Sequence, residues 1–156
     1  MSDDVPALID VFWCGVHEGA APAYDEGQRR AWLPARPSVE AFAARLDPQT
    51  VFVAEAAGRI TGFMTLRPDG HLDLAFVLPD VRGDGTAAAL LAMVENHARV
   101  AGLTRLETRA SDMARPFFLR HGWTVLRPAP QLRHGVTIPA TEMSRDLTRM
   151  GIALAS

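Results

Sequence analysis

The chain of 156 residues is 48% apolar and 22% charged, with a formal net charge of −2, so residues 1–156 are read as a single domain whose core buries about two-thirds of the unfolded surface. No apolar run approaches the roughly 18 residues of a membrane span, the start Met1-Ser2-Asp3-Asp4 is acidic, unlike a signal peptide, and the slightly negative balance argues against a general nucleic-acid binder, for which a basic stripe is expected. The single Cys14 allows no intrachain disulfide, which makes a cytoplasmic setting the expectation.

In chain order, Asp3 or Asp4 is placed to cap a first helix, with Pro6 near its first turn and Leu8, Ile9, Phe12 and Val16 recurring on one face. Gly19 to Gly27 reads as a loop or broken turn carrying Tyr24. Gln28 to Trp32 is helical until Pro34 and Pro37 interrupt. Ser38 then caps a further helix that turns Val39, Phe42, Ala43 and Leu46 inward and ends at Asp47-Pro48. From Thr50 the period becomes that of strands. Val51 to Glu55 and Arg59 to Leu66 flank Ala57-Gly58 as a hairpin. Pro68-Asp69-Gly70 turns the chain into His71 to Leu78, the third strand of an antiparallel meander.

The apolar run ends at Pro79, and Arg82-Gly83-Asp84-Gly85-Thr86-Ala87 leads straight into a helix with Leu90, Leu91, Val94, Ala98 and Ala101 on one side, stopped by Gly102. Strand, glycine loop and helix N-terminus make an anion cradle. The first helical N–H groups have no intrahelical partner, and the two glycines clear side-chain bulk from in front of them. The spacing is neither that of a Walker loop nor the three-glycine dinucleotide fingerprint; the plain alternative is a tight turn that needs glycine for its backbone alone. Leu103 to Ala110 is a strand. Ser111 or Asp112 caps a short helix through Arg120, Gly122 closes it, and Trp123 to Leu126 and Thr137 to Leu147 supply two last strands across a Pro-containing loop. One α+β layering of helices on a mixed sheet accommodates this order.

Val77-x-Pro79-x-x-Arg82-Gly83-x-Gly85-x-Ala87-x-x-Leu90 resembles the acyl-CoA pyrophosphate loop of the GNAT superfamily of N-acetyltransferases. Ser111 to Trp123, with Ala114, Phe117, Phe118 and Gly122, resembles the later segment Asn-x-x-Ala-x-x-Phe-Tyr-x-x-x-Gly-Phe of the same superfamily. The resemblance covers about Val51 to Leu147. It implies a mixed, mostly antiparallel sheet with helices on both faces (α/β/α layers), two strands of which splay to admit the pantetheine arm. It implies acetyl-CoA as acyl-donor cosubstrate and an amine acceptor. By position, Phe76 and Val77 would offer backbone groups to the arm, and Arg82, Gly83, Gly85, Thr86 and Ala87 would offer N–H groups to the pyrophosphate. Ser111 stands where the family often has an Asn that touches the cofactor. Two departures stand out. The helix near Val5 leaves the family's first edge strand missing or shortened. Phe118 replaces the Tyr that in many members protonates the departing thiolate, so Phe118 only packs at the thioester end, leaving another donor or water to serve.

Direct transfer needs a base for the amine and donors for the oxyanion. Strand alternation places His71, Asp73, Ala75 and Val77 on one side, with His71 as candidate base and Asp73 orienting it, holding a substrate ammonium or relaying through water; a solvated turn histidine and a satisfied polar group are the plain alternatives. A backbone N–H near Val77 is the expected oxyanion donor. Tyr24 and Trp32 are candidates for the acceptor pocket, which the segment between Val5 and Leu46 shapes in this superfamily, although aromatics there are as often core. Glu55 and Glu107 are further acceptor-side candidates. His121 complements a helix C-terminus, His17, His97 and His134 read as structural or surface, and Cys14 has no nucleophile's context. No His/Cys cluster has metal-ligand spacing, so no metal is expected. The expected partner is a small-molecule or peptide amine, with neither nucleic acid nor membrane, and a homodimer stays open. The reading of a different class is a catalytically weak acyl-CoA-binding regulatory module.

Overall fold

The structure, a computed structural model, describes residues 2–148. A 3-10 turn over Ser2–Asp4 runs directly into α1 (Val5–Cys14). Asp4 at the N-cap is in the right-handed helical region and makes no side-chain capping bond, because a cap needs an extended entry to aim its carboxylate at the first amides. The expected acidic cap is therefore not formed. Leu8, Ile9, Phe12 and Val16 are all buried as their spacing predicts. At Gly15 the helix widens into a π turn through Gly19, and a Cβ on Gly15 would come within 2.5 Å of the Phe76 ring. Glycine there lets the helix end lie directly on the sheet.

The sequence expectation starts α2 too late, at Gln28. The helix spans Glu26–Trp32, and Asp25 and Gln28 form a reciprocal capping box. In α3 (Val39–Leu46) the Ser38 hydroxyl accepts the Ala41 amide as expected. Val39, however, is 43% exposed rather than inward-facing; as the first helical residue it lies beyond the patch that Phe42 and Leu46 bury.

Strands β1 (Thr50–Ala56), β2 (Arg59–Leu66) and β3 (His71–Val77) form the meander. Helix α4 (Thr86–Val100), β4 (Arg105–Ser111), α5 (Arg115–Arg120), β5 (Thr124–Pro128) and β8 (Ala140–Asp146) complete the main architecture. Between β5 and β8 the chain inserts a small hairpin, β6 (Gln131–Arg133) and β7 (Val136–Ile138). The sequence reading missed it, although Gly135 in the left-handed region after His134 marks its turn. Ala101 is exposed past the end of α4. Among the described residues β1 is the first strand and follows α3.

The six-stranded sheet has the order β1-β2-β3-β4-β8-β5, antiparallel except for the β3–β4 pair. One face is covered by α1 and α3 through Leu8, Phe12, Phe42, Phe63 and Leu74. The other is covered by α4 and α5 through Leu90, Leu91, Val94, Leu106, Phe118 and Trp123. These two apolar layers hold the sheet, each fully buried large side chain contributing about 1.5–3 kcal/mol. No helix among the described residues is long and apolar enough to cross a membrane.

Two irregularities open the middle of the sheet. Leu66 lies opposite Leu72 and Thr65 opposite Leu74, so Asp73 is an extra residue in β3, a β-bulge that bends its strand. Beyond it, β3 and β4 separate: they pair only at His71–Glu107 and Leu72–Thr108, while β4 stays with β8 as far as Ser111–Ala140.

Candidate active site

The separation of β3 from β4 leaves backbone groups without a ladder partner in the middle of the sheet. The Leu78 N–H bonds Thr61 O at 2.8 Å and the Leu74 N–H bonds the Thr65 hydroxyl at 3.1 Å, both toward β2. Because successive residues of a strand present their polar groups to opposite edges, Ala75 and Val77 turn theirs toward the gap, whereas Phe76 turns its own toward β2. This corrects the expectation that Phe76 offers backbone groups to a cofactor. Its ring packs against Phe12 at 5.0 Å and Trp32 at 6.0 Å between centroids instead.

On the α4 side of the gap lies a cavity of about 360 Å³, bounded by Val77, Arg82, Gly83, Gly85, Ala87 and Ser111 among others. Gly85 is the N-cap of α4 and adopts φ +93°, and Gly83 has φ +84°. Both conformations favour glycine, and nothing lies within 4 Å of where a Cβ on either would point. The helix N-terminus is thus open to an incoming anion. Thr86 is the exception among the expected loop residues. Its amide and hydroxyl are held by the Asp84 carboxylate at 2.9 and 2.6 Å, bonds that keep Asp84 below the usual carboxylate range. Arg82 and Arg120 border the same cavity and have no carboxylate partner among the described residues. The Ser111 hydroxyl accepts the Ala114 N–H at 3.1 Å and so starts the turn into α5. Phe118 is buried against Trp123 at 4.9 Å. Sequence reasoning missed Arg120, Met113 and Phe117 here, since a short helix without a strong face gives no signal of which side meets a ligand.

On the α1–α3 side a second cavity of about 320 Å³ contains His71, Asp73, Tyr24 and Trp32. It meets the first at Trp32, Ala75, Phe76, Ser111, Ala114 and Phe118, which border both. The bulge overturns the expected alternation. Leu72 and, beyond the bulge, Ala75 and Val77 pack on the α4 side, while Leu74 and Phe76 pack on the other. Asp73 shares that second side, where the Arg45 guanidinium grips it through Nε at 3.0 Å and Nη2 at 3.1 Å, Gln49 Nε2 donates at 2.9 Å, and Arg67 lies at 3.5 Å. Burial alone would raise the Asp73 pKa, but the bonds from Arg45 and Gln49 and the charges of Arg45 and Arg67 outweigh it and hold the carboxylate below its usual range. For His71, burial and then the Arg67 charge push the pKa below the ordinary imidazole value against the pull of Asp73 and Asp69. The ring is therefore neutral at pH 7.

Tyr24 lines the second cavity with its hydroxyl already committed, donating to the Pro139 carbonyl and accepting the Asp112 N–H at 2.8 Å. Its ring meets Trp32 edge-on at 5.8 Å. Burial raises its pKa further. Glu55 and Glu107 line neither cavity, and Glu107 is paired with Arg105. His17 bonds the Leu33 carbonyl at 2.8 Å, in keeping with a structural role. Burial raises the Cys14 thiol. No group of three or more His, Cys, Asp or Glu among the described residues is arranged to hold a metal ion. The expected acceptor segment supplies Phe12, Tyr24, Trp32, Leu33 and Arg45, but the cavity extends to Arg67, Arg109 and the β6–β7 hairpin, which the sequence did not indicate.

The chain matches the family described as acetyltransferase (GNAT) domain over residues 20–147. It is similar to the crystal structure of a GCN5-related N-acetyltransferase (aminotransferase, class II) from Rhodopseudomonas palustris, with 28% identity, a TM-score of 0.88, and coverage of 94% of this chain and 91% of that one. A ribosomal-protein-alanine N-acetyltransferase from Brucella melitensis shares 21% identity at a TM-score of 0.72, covering 94% of this chain and 96% of that one. The PaiA N-acetyltransferase from Thermoplasma acidophilum, solved in complex with coenzyme A, shares 16% identity at a TM-score of 0.73, covering 93% and 94%. No curated protein matches the chain significantly.

Proposed function

The chain belongs to the GNAT acetyltransferase family, and on that premise we propose that it transfers an acetyl group from acetyl-CoA to the amine of a small molecule or peptide by direct attack in a ternary complex. The observation that carries this is the opening between β3 and β4 after two paired residues, with a cavity on each side of the sheet meeting in it. Donor and acceptor can approach from opposite faces and touch only there. The residues on the α4 side suit CoA: glycine-uncovered amides at a helix N-terminus for the diphosphate, the uncompensated Arg82 and Arg120, and the free edge of β3 for the amide-bearing arm.

In the reaction the acceptor nitrogen's lone pair forms the C–N bond, the C–S bond breaks, and its electron pair leaves on sulfur. The Ala75 and Val77 amides, facing the gap, are the donors for the negative charge that grows on the carbonyl oxygen. The proton shed by nitrogen goes to neutral His71. His71 and Ala75 lie four residue steps apart along the strand, about 13 Å, so the proton crosses through water. Asp73, held by Arg45 and Gln49, orients this end of the cavity rather than taking the proton. Sulfur takes a proton from water, since a thiol of pKa about 8.5 is a tolerable leaving group unaided. Cys14 as a free thiol fits a cytoplasmic setting.

Phe118, without an exchangeable proton, favours one other reading, a CoA-binding module with little turnover. Isothermal titration with CoA tests the cofactor under both. Release of free thiol from acetyl-CoA with a panel of amines separates them: turnover with any amine excludes the module, and CoA binding without turnover on the whole panel rejects the transferase.

A further inference from the structure

We infer that the acceptor is a small amine carrying an anionic group, a carboxylate, phosphonate or phosphate, held by a funnel of arginines at the outer end of the second cavity. The inference rests on the acetyltransfer reading above. Among the described residues that line this cavity are four guanidiniums, those of Arg45, Arg67, Arg109 and Arg133, and a single carboxylate, Asp73. Arg45 and Arg67 share Asp73. Arg109 and Arg133 have no carboxylate partner among the described residues. Glu142, directly opposite Arg109 in the ladder, is taken by Arg127. Glu107 is taken by Arg105. Among the described residues Arg133 reaches only the neutral Gln131 Oε1, at 2.8 Å. His71 adds no compensating charge. The cavity thus holds four positive charges against one negative in a chain whose formal net charge is −2.

An uncompensated cleft of one sign concentrates ligands of the other, and guanidinium groups match the planar or tetrahedral oxygens of carboxylate and phosphorus oxyanions in fork geometry. The inner end differs in chemistry. Trp32, Ala75, Phe76 and Phe118 leave an apolar neck where the two cavities meet, fit for a neutral amine and not for an ammonium. Arg109 stands two residues before Ser111 on β4, about 7 Å from the neck, so a short linker joins amine and anion. A volume of about 320 Å³ is that of a small-molecule site.

The test uses the full chain and begins with CoA titration of the wild type and of Arg109→Gln/Arg133→Gln. Thiol release is then followed with matched amines: phenylalanine against phenylalaninamide, 3-aminopropylphosphonate against propylamine, and spermidine as a polycation. The anionic members are expected to exceed their neutral partners about tenfold or more in kcat/KM. The double variant should lose about tenfold through KM, with kcat within about twofold and CoA affinity unchanged, and Arg109→Lys/Arg133→Lys should recover part of the loss. Preference for neutral or cationic amines, or a KM the double variant leaves unmoved, overturns the inference while leaving acetyltransfer standing. Where CoA binds but no amine in the panel turns over, the acetyltransfer reading is rejected and this inference, which rests on it, falls with it. Absence of CoA binding removes the acetyltransfer reading and this inference together.

Discussion

The buried hydroxyl of Thr65 accepts the backbone N–H of Leu74 at 3.1 Å, and in doing so it completes the bulge at Asp73. An extra residue in a strand leaves a ladder amide without its usual carbonyl, and a buried amide without a partner costs about 1–3 kcal/mol. Thr65 supplies the acceptor from the neighbouring strand. The bulge then turns Asp73 toward Arg45 and lets β3 part from β4, which opens the place where the two cavities meet.

Thr65→Val, nearly isosteric, should therefore lower stability by about 1–3 kcal/mol, whereas Thr65→Ser should retain most of it. Thermal unfolding of the three proteins side by side measures this. A valine variant as stable as the wild type would mean that the bulge does not depend on this bond.

Gly85→Val should weaken CoA binding by about 30-fold or more while unfolding stays cooperative. The position has φ +93° with open space beyond its missing Cβ, so a branched side chain would stand in front of the α4 amides. The unfavourable conformation itself costs about 1–2 kcal/mol. Titration calorimetry with CoA, read beside a melting curve, separates the two effects. Unaltered affinity in a folded variant would remove the anion role of the loop.

His71, with its pKa displaced downward by burial and Arg67, should remain a competent base at pH values where a free imidazole is half protonated. The acidic limb of kcat is expected below about 6.5, the reference imidazole value, and His71→Asn should abolish that limb and lower kcat. Stability carries the same sign. The unfolded chain binds the proton more readily than the folded one, so this site's contribution is full above about 6.5 and falls as the pH drops through the folded pKa. A limb unchanged in His71→Asn would assign the proton to another group.

Phe118→Tyr places a hydroxyl on a ring that is 2% exposed and borders both cavities. Folding should be maintained, with kcat equal to or above that of the wild type, since the phenol adds a proton donor near the departing sulfur without removing the contact with Trp123. Stopped assays of thiol release at saturating acetyl-CoA measure it. A loss of about tenfold or more in kcat would show that this aromatic contact tolerates no polar atom.

Much of the fold and the cofactor half of the site can be read along the chain. Gly83, Gly85 and the helix after them form one contiguous stretch, so a strand end, two glycines and a helix N-terminus suffice to define an anion cradle by local rules alone. The apolar spacing of α1 and α4 and the turn residues of the first hairpin are local in the same way. The acceptor half is not. Arg45, Arg67, Arg109 and Arg133 come from a helix, the turn after β2, the inside of β4 and a small hairpin, and each alone reads as an ordinary exposed arginine. Only the packed structure shows that they face one cavity with a single carboxylate among them. Alternation along β3 failed for a related reason: one inserted residue at Asp73 shifts every later side chain to the opposite face, and whether a strand bulges depends on the strand beside it.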